Sequence, residues 1–119
     1  MNNDITFLPV NNHEYSIILL HGMNQTNESL INLTYKLIKK YKNLKIILPN
    51  SPKRDISWKK DNVWSSVTEY NVNAWYNYFT RNDGLMKHDE IDETDFLKQT
   101  KRINKIIDEE VKLLDGKSE

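Results

Sequence analysis

Two short apolar runs, starting thirty residues apart, constrain this chain more than anything else in it. Tyr15-Ser16-Ile17-Ile18-Leu19-Leu20 is rich in β-branched residues and stops at His21-Gly22, and Lys45-Ile46-Ile47-Leu48-Pro49 is closed by a proline. Neither alternates apolar with polar residues, so both read as strands covered on two faces, the kind found in parallel sheets. Between them, Leu30, Leu33, Leu37, Ile38 and Tyr41 recur at helical spacing, which places them on one face of a helix over about 27–41. Thr26 or Asn27 suits its N-cap, Glu28 its first turn and Asn43 its stop. Strand, helix and strand in this order make a βαβ unit, because parallel neighbours need such a crossover.

The flanks are read the same way. Ile5-Thr6-Phe7-Leu8-Pro9-Val10 alternates weakly and reads as a first strand, with a turn at Asn11-Asn12. Strands are therefore expected at about 5–10, 15–21 and 45–49. From Asn50 to Gly84 the pattern loses regularity, and Trp58, Trp64, Tyr70, Trp75, Tyr76, Tyr78 and Phe79 are scattered among Pro, Asn, Asp and Lys. The stretch 50–84 reads as an aromatic-rich loop; its composition is not that of a disordered segment, so it is expected to fold over something. A second helix is expected over about 93–114. Asp92 or Thr94 caps it, and Glu93 and Asp95 sit in its first turn. Phe96, Ile103, Ile107, Val111 and Leu114 line one face, widened by Leu97, Ile106 and Leu113, with Lys112 in the last turn and Gly116 suited to C′. The expected fold class is α/β: a single partial domain over 1–119, with a mostly parallel sheet and crossover helices.

Composition excludes several functions. Lys plus Arg and Asp plus Glu each number 17, which leaves no electrostatic case for nucleic acid. The basic run Lys39-Lys40-Tyr41-Lys42 suits a helix C-terminus. Cysteine is absent, so there is no disulfide, thiolate zinc site or Cys nucleophile. Met1-Asn2-Asn3-Asp4 has no signal-peptide character, and the apolar run Ile17–Leu20 is far too short to cross a bilayer. A cytoplasmic chain with no membrane span is expected. Asn24-Gln25-Thr26, Asn27-Glu28-Ser29 and Asn32-Leu33-Thr34 match the glycosylation sequon, but in an Asn-rich chain without a secretory signal they carry no weight. His13-Glu14 and His88-Asp89-Glu90 fall short of the three or four converging ligands a metal needs. No Gly-rich phosphate loop follows the first strand; no metal and no cofactor are expected.

In an open α/β sheet, ligands bind beyond the carboxyl ends of the strands. His21-Gly22-Met23-Asn24 and Pro49-Asn50-Ser51-Pro52 lie there. Gly22 lets the backbone turn sharply, and N–H groups just after it point into the crevice. Such donors stabilise a developing oxyanion by about 3–4 kcal/mol each.

Ile18-Leu19-Leu20-His21-Gly22-Met23, then Leu48-Pro49-Asn50-Ser51-Pro52, then Ala74-Trp75-Tyr76, then an acidic-capped helix follow one another. In that order they resemble the N-terminal portion of the acyl-protein thioesterase, carboxylesterase and lysophospholipase family of α/β-hydrolases. The resemblance runs over nearly the whole chain, and Val67–Tyr76 also resembles the stretch before that family's Trp-Phe-Asp. It implies ester or thioester hydrolysis, with the backbone N–H of Met23 as oxyanion donor in a loop shaped by His21, Gly22 and Asn24. It implies an acyl pocket walled by Trp75 and Tyr76, and a small acyl ester or thioester as ligand. His21 is not implied to be the catalytic histidine. Asn24 stands where the family has Gly, Gln25 where it has Asp, Ser51 where it has Ala, and Asn77 where it has the Asp of Trp-Phe-Asp.

The attacking group is missing from these residues. The glycines are Gly22, Gly84 and Gly116, so the Gly-x-Ser-x-Gly elbow, which holds its Ser on a strained turn, does not occur. The chain is expected to be inactive alone, an incomplete hydrolase fold whose sheet is completed by a C-terminal half or a second chain. The alternative is a non-catalytic binding or interaction module. An unpaired sheet edge would invite either partner.

Overall fold

A computed structural model describes residues 3–60, 63–77 and 92–115. The sequence readings at Tyr78, Phe79, Gly84, His88-Asp89-Glu90 and Gly116 lie outside these residues.

Three strands form the first sheet: β1 (Ile5–Phe7), β2 (Tyr15–Ile18) and β3 (Leu44–Leu48), in the order β1-β3-β2. β2 runs parallel to β3 with Ile17 opposite Ile46, and β1 runs antiparallel with Phe7 opposite Ile46. β1 is shorter than the run 5–10 suggested. The seven residues 8–14 then pass beneath the start of β3, where Asn11 N–H donates to the Lys42 carbonyl. A link that short cannot make the crossover of a dozen or more residues that parallel strands need, so β1 and β2 run in opposite senses.

The parallel pair is joined through a 3₁₀ turn (Asn27–Leu30) and helix α1 (Ile31–Lys40). Leu44, Ile46 and Leu48 are buried on the α1 side, against Ile17, Leu30, Ile31, Leu37 and Ile38. Each such side chain stabilises the fold by roughly 1.5–3 kcal/mol. Leu33 and Tyr41, expected on this face, are exposed; Thr34 is buried instead, its hydroxyl donating to the Leu30 carbonyl. The expected cap is also different: neither Thr26 nor Leu30 makes a side-chain cap bond. Asn27 is only 2% exposed and reaches away from the helix. Its Nδ2 donates to the carbonyls of Asn3 and Leu48, and its N–H donates to Asn50 Oδ1.

The stretch 50–84, expected as a loop, contains an antiparallel hairpin, β4 (Lys53–Lys60) and β5 (Val63–Asn73). Arg54 pairs with Val72 and Ile56 with Glu69, so β5 carries an extra residue there. Asn71 supplies it, with φ 54° and its N–H donating to Asp55 Oδ1; a residue in this left-handed region bends and twists the bulged strand. At the hairpin base, Ala74 N–H donates to the Pro52 carbonyl.

Helix α2 (Glu93–Leu114) covers the other face of the first sheet. Asp92 caps it by accepting from Asp95 N–H, as the sequence suggested. The face it buries overlaps the expected one only in part. Ile103, Ile106 and Leu114 are half-buried as expected, but Phe96, Leu97, Ile107, Val111 and Leu113 are exposed, and Gln99 and Glu110 are buried in their place. Polar anchoring sets this rotation. Arg102 donates to the Asn50 carbonyl at 2.9 Å and to Asp4 Oδ1 at 2.5 Å. Glu110 accepts from Lys45 Nζ at 2.8 Å and from the Ser16 hydroxyl at 2.6 Å. Since that hydroxyl's proton points to Glu110, His13 Nε2–H donates to Ser16 Oγ at 2.7 Å. Burial alone would raise the Glu110 carboxyl. The hydrogen bonds from Lys45 and Ser16, with the charges of Lys45 and His13, outweigh it and hold the group below the ordinary carboxylate value.

Candidate functional site

The carboxyl ends of β2 and β3 converge on one buried histidine. His21 is 4% exposed. Ser51 N–H donates to its Nε2 at 3.0 Å, so that nitrogen is bare and Nδ1 carries the proton. Nδ1–H then donates to the Gly22 carbonyl at 2.8 Å. The ring lies 5.0 Å from Trp75, whose Nε1–H donates to the His21 carbonyl at 2.8 Å. With both ring nitrogens occupied, His21 has no lone pair to take a proton from a nucleophile. It fixes the distance between the two strand-end loops.

After His21 the chain makes a tight turn closed by Gln25 N–H to the Gly22 carbonyl at 3.3 Å. The left-handed residue in it is Asn24, with φ 63°. This corrects the sequence reading, which gave the turn to Gly22. Positive φ at the third position of such a turn requires Gly or Asn, and Asn reaches it because its short amide tolerates αL. The same conformation explains why Asn can stand at that position in place of Gly. A Cβ on Gly22 would meet the Gln25 side chain at 3.4 Å, an ordinary contact.

The backbone donors of the turn are divided. Gly22 N–H donates to Gln25 Oε1 at 3.1 Å, and Asn24 N–H to the Asn73 carbonyl at 2.7 Å. Among the described residues, no acceptor faces the N–H of Met23. The hairpin base therefore braces the turn, and Asn73 Nδ2 also donates to the Ser51 carbonyl at 3.2 Å. Sequence reasoning missed Asn73, because nothing in its local pattern signals a brace for a loop fifty residues earlier.

Beside this turn lies an apolar groove of about 260 Å³, lined by Leu20, Trp75, Tyr76, Phe96 and Ile103, with Gln99 at one side. Tyr76 meets Phe96 edge-on at 5.5 Å. The expected pair Trp75 and Tyr76 thus shares one wall. Ser51, whose N–H bonds His21, is buried, and its hydroxyl has no hydrogen-bond partner among the described residues. No group of three or more His, Asp or Glu able to hold a metal occurs among the described residues, and no helix among them is long and apolar enough to cross a membrane.

No protein-family model and no curated protein matches this chain. Among solved structures, the acyl-protein thioesterase 2 of Zea mays is similar with a TM-score of 0.67 at 19% identity, over 89% of this chain and 40% of that one. The chain spans well under half of that protein's length. The likeness establishes the fold: mixed α/β, in the manner of part of an α/β-hydrolase.

Proposed function

We propose that this chain is the oxyanion-loop portion of a carboxylic ester or thioester hydrolase, and that these 119 residues do not hydrolyse esters by themselves. The observation that carries the reading is the N–H of Met23, which meets no acceptor among the described residues and lies three residues past Leu20, a lining residue of the apolar groove. A carbonyl oxygen accepting from Met23 would leave its acyl chain free to lie along Trp75 and Tyr76. The hydrolase fold supports this, as does the name of the plant thioesterase that shares it. Three observations support inactivity: no Gly-x-Ser-x-Gly occurs in these residues, both His21 ring nitrogens are engaged in hydrogen bonds, and an oxyanion hole without a nucleophile has no acyl-enzyme to stabilise.

Titration with methyl octanoate, followed by amide NMR, tests the reading. The Met23 N–H and the Trp75 Nε1–H resonances should move together, and a fluorophosphonate probe should label no serine. An unmoved Met23 amide, or one stoichiometrically labelled serine, would overturn it.

A non-catalytic interaction module is the second reading, and an unpaired edge favours it. Leu19 N–H points to Ile47 on β3, so by strand alternation Ile18 and Leu20 turn their backbone groups outward. No described strand pairs with that side of β2. Phe96, Ile107 and Val111 of α2 are also uncovered. A further segment or a second chain that adds a strand to β2 would cover both. Size-exclusion chromatography distinguishes the readings: self-association without any ligand response at Met23 favours the module.

A further inference from the structure

A second cavity adjoins the apolar groove and has the opposite character. It is a cleft of about 440 Å³ between the start of β4 and the first turns of α2, lined by Lys53, Arg54, Lys98 and Arg102 with Asp95. Its two guanidinium groups are held in place by the fold. Arg54 donates Nε–H to the Ala74 carbonyl at 2.9 Å and pairs with Asp95 at 2.6 Å. Arg102 pairs with Asp4 and lies 5.8 Å from the Trp75 ring. Asp95 and Asp4 therefore offset the two arginines. Lys53 and Lys98 are exposed and have no acidic partner among the described residues, which leaves two positive charges uncompensated at the cleft.

Groove and cleft share a wall. Gln99 lines both, and Trp75, in the groove, has Arg102 of the cleft 5.8 Å from its ring. We propose that the cleft binds the anionic head of an amphiphile whose apolar chain lies in the groove, the head being a phosphate or a carboxylate. This rests on the groove being an acyl-chain site, as proposed above. Guanidinium and ammonium groups around one cavity suit such an oxyanion, the arginines by fixed planar donors and the lysines by mobile charge.

Isothermal titration of the full chain at low salt, where screening is weak, tests this with n-decyl phosphate, n-decanol and inorganic phosphate. Decyl phosphate should bind at least about tenfold more tightly than decanol, since a hydrogen bond to a charged group contributes about that much. Inorganic phosphate should bind more weakly than decyl phosphate and compete with it. The exposed double variant Lys53→Gln/Lys98→Gln should lose the preference for decyl phosphate while keeping its affinity for decanol. Equal affinity of decanol and decyl phosphate, or a preference retained in the variant, would overturn the proposal and leave the groove reading standing. Failure of both decanol and decyl phosphate would overturn the groove and the cleft together. Inorganic phosphate binding as tightly as decyl phosphate would make free phosphate, not an amphiphile, the ligand.

Discussion

Replacing Lys45 with Met separates the two ways of holding α2 on the sheet. In the folded chain Lys45 Nζ and Glu110 Oε2 are 2.8 Å apart, and the two side chains are 13% and 9% exposed. At an effective dielectric of about 20, Coulomb's law gives such a pair about 6 kcal/mol of gross attraction, most of it offset by the desolvation of both ions. Removing one partner leaves the other's desolvation uncompensated, which costs about 3 kcal/mol or more. Met fills the space of the lysine stem, so the loss is not a cavity effect. The sign of the pH dependence is diagnostic. Glu110 titrates below its ordinary value in the folded chain, so its contribution is full above the unfolded carboxyl's pKa of about 4.3 and is lost as pH falls through the folded value. Without Lys45, its hydrogen bond and its charge no longer lower the carboxyl, and only the Ser16 hydrogen bond and the His13 charge oppose burial. The carboxylate is then less favoured in the folded chain, so the cost of Lys45→Met narrows as the solution is taken from about pH 7 to about pH 4. Urea unfolding midpoints of both proteins at the two pH values measure this. A cost below about 1 kcal/mol that does not change with pH is the behaviour of a surface ion pair, and would refute the account of α2 anchoring.

Two further outcomes follow from the strand-end loops. Asn24→Ala should cost about 1–2 kcal/mol in thermal or urea unfolding, because Ala resists the left-handed region; Asn24→Gly should be neutral, and equal effects of the two would mean the turn is not held at positive φ. Ser51→Ala should be neutral or stabilise by about 1 kcal/mol, since it removes a buried hydroxyl with no partner among the described residues; destabilisation beyond about 1 kcal/mol would reveal a hydrogen bond to that hydroxyl.

The parallel pair β2 and β3 and the start of α2 were legible because each is a local signal: an unbroken apolar run, or an acid placed to cap a helix. The hairpin was not. Lys53-Arg54-Asp55-Ile56-Ser57-Trp58-Lys59-Lys60 lacks clean alternation, and the bulge at Asn71 breaks the period on the other strand. The signal that could have found it is Asp61-Asn62, two turn-forming residues between Lys60 and Val63, the spacing of a tight hairpin. The buried side of α2 was misjudged in part, for a different reason. Periodicity weighs apolar residues, whereas this helix is oriented by Arg102 and Glu110, whose partners Asp4, Asn50, Lys45 and Ser16 lie 52 to 98 residues away in sequence. In the strand-end site, the motif marked His21, Gly22, Met23 and Asn24, which lie together at the turn closed by Gln25. What it could not carry was the division of labour: the conformational demand falls on Asn24, and His21 is a spacer between loops.

The buried amide of Asn27 bears on covalent modification. Its Nδ2 is the atom to which an N-linked sugar would be attached, and both of its protons are spent on the Asn3 and Leu48 carbonyls. A glycan and these two bonds are mutually exclusive. The sequon asparagines Asn24 and Asn32 are exposed, whereas occupancy at Asn27 would have to precede folding and would remove the two bonds by which its side chain joins Asn3 to the end of β3.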